Sequence, residues 1–362
     1  MGRRPDGPLR RGWTTGACAA AAAAAAFEAL ATGRFPDPVT IRLPRGETPS
    51  FALAEHALDA DCAEAGIVKD AGDDPDVTHG ALVRARVARA APGTGIRFHA
   101  GEGVGTVTRP GLALPVGEPA INPGPRALIR ETLQAVAERC GRGADAEVTL
   151  SIPGGEALAE RTANGRLGIL GGLSILGTTG IVMPYSCAAW IHSIHRGIDV
   201  ARAAGLDHVG AATGRTSEAA LQRLYGLPDH AMIDMGDFAG AVLKYLRRNP
   251  LPRLSIAGGF GKLSKLAAGH LDLHSGRSRV DTAGLAELLA DLGASAELVA
   301  AARDAASAGE VLERAGTAGR GLAEAVARRA REVALAALSG DITVEVLVFA
   351  RNGELLGRAG AP

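Results

Sequence analysis

Aromatic residues are scarce: Phe, Trp and Tyr make up 3% of the 362 residues. That argues against a stacking platform for single-stranded nucleic acid. Neither sign of charge is in excess. The 39 basic and 39 acidic residues cancel, so no global field draws the chain to nucleic acid or an acidic membrane surface. Any anion site must be local. The four cysteines, Cys18, Cys62, Cys140 and Cys187, are far apart and form no C-x-x-C pair. Their spacing excludes the usual zinc ribbon and gives no secreted disulfide framework, which leaves reduced thiols. Long hydrophobic runs are missing as well. The alanine run 19–26 follows Arg3, Arg4, Arg10 and Arg11, as in a signal peptide, but it is weakly hydrophobic and Glu28 soon interrupts it. The uncharged stretch 167–183 contains five glycines and falls short of a membrane span. The expectation is a cytoplasmic protein about two average domains long, with an ordinary globular 47% of apolar and 22% of charged residues.

What is present is a change of pattern along the chain. Alanine is the best helix former, so 19–26 reads as a helix opened by the turn 13–16, with Thr14 or Thr15 as its cap. Strand-like runs follow at 39–43, 51–54 and 82–87. The glycines at 101–105 have no helical pattern after them, which favours an extended or hairpin segment over a dinucleotide loop. Pro123 and Pro125 introduce a helix carrying Leu128, Ile129, Leu133 and Val136, and a strand at 147–152 leads into a glycine-rich centre. From there, strand-like 208–212, 231–235 and 253–257 alternate with helical stretches near 218–224, 238–247 and 262–268. Such alternation predicts a parallel sheet with helices packed on it. Alanine-rich helices at 285–292, 296–306 and 321–338 and a buried strand at 342–350 complete the chain. The predicted fold class is therefore α/β: an α+β N-terminal domain over 1–205, then a smaller α/β domain with a mainly parallel sheet over 206–362.

Each strand of the second half is followed by glycine or polar residues, at 213–218, 234–237 and 258–262. In a parallel sheet these turns share the carboxyl edge, where ligands bind. Thr213 is placed there, and Asp234 or Asp237 is suited to accept hydrogen bonds from ribose hydroxyls. Ordinary strand–helix turns favour the same residues, and it is the coincidence of three that points to a site. A phosphate-binding P-loop fails: its first glycine would have to stand at Ile256, and Leu263 follows Lys262 where Ser or Thr is required. In the centre, Gly171, Gly172, Gly177 and Gly180, with Thr178 and Thr179, offer backbone N–H groups and hydroxyls to a ligand, or else form a tightly packed turn. Asp70, Asp73, Asp74 and Asp76 lie within seven residues. Their spacing misses the calcium loop, which leaves a solvated acidic loop or hydrogen bonds to a ligand or a neighbouring loop. His192 with His195, and His270 with His274, lack the H-E-x-x-H glutamate and a nameable third ligand, so no protein-held metal is expected. Beside Arg196, Lys262 and Lys265, they are suited to substrate carboxylates.

Taken in order, six stretches resemble one known family, the cobalt-precorrin-5B C-1 methyltransferases of cobalamin biosynthesis. They are 11–20 (RGWTTGACAA), 68–78 (VKDAGDDPDVT), 103–111 (GVGTVTRPG), 115–123 (PVGEPAINP), 167–182 (LGILGGLSILGTTGIV) and 258–275 (GGFGKLSKLAAGHLDLHS). Gly165 departs from the proline common in the family, next to Arg166, and the region after 280 carries little signature. The resemblance implies S-adenosylmethionine as methyl donor and co-substrate. It implies methylation at C-1 of cobalt-precorrin-5B to give cobalt-precorrin-6A, with the cobalt-bearing tetrapyrrole as small-molecule partner. It is compatible with a homo-oligomer, and neither nucleic acid nor membrane is an expected partner. On this reading the donor falls to Gly171, Gly172, Gly177, Thr178, Thr179, Gly180, Thr213, Asp234 and Asp237. The ring carboxylates fall to Lys69, Arg166, Lys262, Lys265, His270 and His274, and Asp70 is a candidate for orienting a reacting group. Two other readings remain to be separated: a tetrapyrrole carrier without methyl transfer, and a phosphotransferase.

Overall fold

Thr14 stands with extended backbone in front of the helix Thr15–Thr32, and its hydroxyl accepts the Ala17 N–H at 3.2 Å. That bond satisfies one of the N–H groups that a helix start leaves without a partner. At the other end Gly33 turns left-handed, at φ 80°, and donates to the Ala29 carbonyl. In the computed structural model, which describes residues 7–338 and 340–360, this alanine helix is core: Ala17 to Ala26 are essentially without solvent exposure. By length and composition it could cross a membrane. Its small side chains instead let it lie close against a sheet.

The chain divides into two compact units, Met1–Ser186 and Cys187–Pro362. This division precedes residue 205 because the helix Cys187–Ala203 buries Ile194, Ile198 and Ala201 in the core of the second unit. The first unit holds a five-stranded sheet in the order Glu55–Leu58, Cys62–Val68, Leu82–Arg89, Ala146–Ser151, Ile96–Ala100. Its pairs are antiparallel except the last, which is parallel. Val83, Ala85 and Val87 alternate inward along the central strand and share a core with the helices Thr15–Thr32 and Pro123–Arg139.

The second unit is built on a sheet in the order Met232–Asp234, His208–Ala212, Arg253–Gly259, Thr343–Phe349, Leu355–Ala359. The first four strands are parallel and the last is antiparallel. Helix Arg215–Tyr225 covers one face with Ala220 and Leu221. Helices Ala239–Leu246, Phe260–Ala267 and Gly319–Ala337 cover the other. The chain therefore leaves the adjacent strands 208–212 and 253–259 toward opposite faces. Where neighbouring connections part in this way, a crevice opens outside the carboxyl ends of the strands.

Candidate active site

In the first unit the acidic loop is a junction. Its carboxylates hold three pieces of chain: Arg10, Tyr185 and Lys69. Asp70 takes both guanidinium arms of Arg10 and the Gly72 N–H. Asp73 accepts the Arg10 N–H at 2.6 Å, Asp74 accepts the Tyr185 N–H at 2.8 Å, and Asp76 pairs with Lys69. The arm carrying Arg10 then passes close beside the loop, where a Cβ on Gly12 would overlap the Ala71 backbone. Trp13 donates its N–H to the Asp70 carbonyl, Thr14 to that of Gly180 and Gly16 to that of Leu176. The helix start, the acidic loop and the glycine-rich segment are thus one assembly. Partners within the chain, Arg10, Tyr185 and Lys69, account for the four carboxylates.

This arrangement sets what Asp70 can do. The hydrogen bond from Arg10, then that from Gly72, hold its carboxyl well down, at about 2. So weak a base suits anchoring better than proton abstraction. Because the folded value lies below the ordinary 3.8, the ion pair contributes fully above 3.8 and is lost as pH falls toward about 2. Both partners are largely solvent-exposed, so salt weakens the contribution. In an Arg10→Ala variant Asp70 is expected to titrate closer to 3.8, as followed by carboxyl NMR. A titration unchanged from the parent would show that Arg10 does not set it.

The glycine-rich segment is mostly committed to packing. Gly177, at φ 118°, lies against the Thr14 side chain, and Gly180 lies against Leu43. Gly172 lies against the Gly103 backbone, and the Thr179 hydroxyl accepts the Ile181 N–H. Gly171 and Thr178 are exposed. Lys69 is 1% exposed, with its ammonium on Asp76 and on the Thr78 hydroxyl at 2.6 Å. Its task in the structure is to hold the loop. Arg166 is half-buried and already engaged.

In the second unit the predicted turns meet at the carboxyl edge of the parallel sheet. Ala212 is level with Asp234 on one side and with Ala257 on the other, so 213–214, 234–237 and 258–259 follow adjacent strand ends. Lys262 pairs with Asp237 and also donates to the Leu273 carbonyl. Lys265, 6% exposed, donates to that same carbonyl at 3.1 Å. Burial, then the neighbouring Lys262 charge, push its ammonium pKa below the ordinary lysine value. Both lysines therefore pin the segment 271–273 over the sheet edge. His270 and His274 stand exposed on the loop beyond. His195 stacks on Tyr245 with centroids 4.0 Å apart, 6.5 Å from His192. Among the described residues no group of three His, Cys, Asp or Glu side chains is placed to hold a metal.

Sequence reasoning missed two participants. Trp190 packs its ring against Gly236 and donates its indole N–H to the Asp234 carbonyl at 2.9 Å. One of two tryptophans in an aromatic-poor chain was the available signal. Glu345, 2% exposed, gathers Ser255, Tyr225 and Arg358 beneath the sheet. It is the one charged residue of strand Thr343–Phe349.

Two family models match: CbiD over residues 3–184 and the CbiD C-terminal domain over 272–360. Curated relatives named cobalt-precorrin-5B C(1)-methyltransferase are 59% identical over 97% of this chain. One from Bradyrhizobium sp. (strain BTAi1) is matched over 94% of its own length, and one from Paramagnetospirillum magneticum over 98%. A crystal structure of a cobalamin biosynthesis protein (cbiD) from Archaeoglobus fulgidus is 25% identical. The match covers 87% of this chain and 86% of that one, with a TM-score of 0.40. Across both units, and with relatives matched nearly end to end, the chain belongs to the CbiD family.

Proposed function

We propose that the chain transfers a methyl group from S-adenosylmethionine to C-1 of cobalt-precorrin-5B, giving cobalt-precorrin-6A. The observation that carries this reading is the 59% identity, over 97% of the chain, to relatives bearing that activity in their names. The fold is compatible with it. Methyl transfer from a sulfonium needs no enzyme nucleophile, and alignment of the two reactants supplies most of the acceleration.

The donor is assigned to the carboxyl edge of the parallel sheet, around Thr213 and Asp234, with Asp237 held by Lys262 behind them. In the other unit, Gly171 and Thr178 are the exposed members of the glycine-rich set that remain open to a ligand. Ring carboxylates are assigned to His270 and His274, exposed on the loop of the second unit. Lys262 and Lys265 would act by holding the 271–273 segment that precedes His274. The phosphotransferase reading loses support here, because Lys262 is engaged by Asp237 and Leu273. Mixing enzyme, donor and the cobalt precorrin should add one methyl to the ring, read by mass spectrometry and located at C-1 by NMR. A carrier would retain the ring with its mass unchanged, and that outcome would overturn the proposal.

A further inference from the structure

We propose that the first unit carries a carboxylate site where the helices Thr15–Thr32 and Pro123–Arg139 begin side by side, with Thr15 and Asn122 as its side-chain donors. The inference deepens the methyl-transfer reading and rests on it for the carrier, since the ring and the methionine end of the donor both bear carboxylates. Four observations lead to the site.

The first is convergence. A Cβ on Gly16 would meet the Pro125 ring at 2.9 Å and the Leu176 carbonyl at 3.2 Å. One on Gly124 would meet the Gly177 carbonyl and Thr178 Cα at 3.3 Å. Gly16 donates its N–H to the Leu176 carbonyl, and Asn122 donates its own to that of Ile175. The two helix starts therefore touch, and the strip 175–178 is bonded to both. The second observation is electrostatic. Helices of 18 and 17 residues bring their positive ends together here, and neither has an acidic residue in its first turn. An anion is stabilised at such an end.

The third observation selects Thr15. Its residue is 5% exposed, yet among the described residues its hydroxyl has no hydrogen-bond partner. The one sealed side-chain polar atom without a partner among those residues is Arg196 Nε, so the Thr15 oxygen is open to solvent. Side chains of a helix lean toward its amino end, which directs that oxygen past the helix start. Thr14, by contrast, already uses its hydroxyl on Ala17. The fourth is an unused cap. Asn122 has the extended backbone of a capping residue, but its side chain makes no cap bond. Pro123 and Pro125 have no N–H to give, and among the described residues the Gly124 N–H has no partner. Arg126 fixes this start from behind, donating to Glu118 and to the Pro119 and Ile121 carbonyls. A hydroxyl, an amide and an N–H at two positive helix ends suit a carboxylate, which accepts from several donors at once.

Calorimetry on the full chain tests the site with cobalt-precorrin-5B, with S-adenosylhomocysteine, the demethylated donor, and with methylthioadenosine, which lacks the amino-acid carboxylate. Thr15→Val keeps the shape and removes the hydroxyl. Asn122→Asp puts a negative charge at the helix start, which suits the helix and opposes a carboxylate. Each should weaken a carboxylate ligand by roughly 10–100-fold, the value of a hydrogen bond to a charged group. The melting temperature of Asn122→Asp should hold or rise, which separates lost binding from lost structure and lets this variant decide alone if Thr15→Val fails to fold. A loss confined to cobalt-precorrin-5B assigns the site to a ring carboxylate. A loss confined to S-adenosylhomocysteine, with methylthioadenosine unaffected, assigns it to the donor. Binding of both reactants unchanged in both variants would overturn the site while methyl transfer stood. Equal weakening of S-adenosylhomocysteine and methylthioadenosine would overturn it too, because no carboxylate is then being read. A parent that bound neither reactant would overturn the methyl-transfer reading itself, and the inference with it.

Discussion

Asp76→Ala is expected to destabilise the N-terminal unit by about 3–5 kcal/mol, the cost of leaving a buried charge without its counterion. Lys69 is 1% exposed, and its ammonium contacts Asp76 and Thr78. Without the carboxylate, a hydroxyl alone faces a charge that water cannot reach. Burial raises the Asp76 pKa, but the Lys69 charge and hydrogen bonds outweigh it, and the net displacement is downward. The pair is thus intact at neutral pH, and its contribution is lost as pH falls below the ordinary carboxylate value. Against a typical domain stability of about 5–15 kcal/mol this is a large share. Urea unfolding followed through Trp13 in a Trp190→Phe background would measure it. A loss below about 1 kcal/mol would mean that water or backbone relaxation compensates. Asp76→Ala combined with Lys69→Met should recover much of the loss, since the charge that needed a partner is gone. Because Asp70, Asp73 and Asp74 sit on the same loop, the single variant should also free the arm that carries Arg10.

Legibility followed the physics of each signal. The parallel sheet was readable because its strands, such as His208–Ala212, are fully buried runs between glycine turns, and its helices have one apolar face. The cap at Thr14 was readable because hydroxyls before alanine runs have few other uses. Strands Glu55–Leu58 and Cys62–Val68 were not. Their inward residues include Ala63 and Ala65, which carry little β preference, and Glu64 points outward between them. The division at Ser186 was hidden because no linker composition marks it, and only packing tells which core receives the helix that follows. For the site, residue types were legible and partners were not. A sequence displays Lys69, Lys262, Lys265 and four aspartates as charges available to a ligand. The structure shows that Lys69, Lys262 and all four aspartates of the acidic loop have partners in the chain, and that Lys265 lies buried on a carbonyl. Pairing across long stretches of chain leaves no local pattern.

Glu345 is the clearest case of that kind, and its removal is the second large effect expected. Its carboxylate is buried on the face covered by helix Arg215–Tyr225. One oxygen takes the Arg358 guanidinium, and the other takes the Tyr225 and Ser255 hydroxyls. His208 extends the chain by a 2.8 Å hydrogen bond to Ser255. Glu345→Ala would leave two hydroxyls and a partly buried guanidinium short of their acceptor. The expected loss is about 3 kcal/mol, below the extreme for a buried pair because Arg358 remains a third exposed. For a unit of this size that corresponds to a fall in Tm of roughly 6–12 °C. Two further readouts separate the network from simple loss of packing. Burial, then the Glu345 hydrogen bond and charge, raise Tyr225 to about 12. In Glu345→Gln the phenol should therefore ionise at lower pH, visible by ultraviolet difference titration. His208 is lowered below 6.5 by burial and by the Arg253 charge, while Glu345 opposes that shift. A neutral, depressed histidine contributes stability above 6.5 that is lost as pH falls through its folded value. Removing the Glu345 charge should depress it further, so the Gln variant should lose more stability than the parent between pH 6.5 and acid. Parallel pH profiles for the two proteins, with Tyr225 titrating unchanged, would show that the five side chains are neighbours without being coupled.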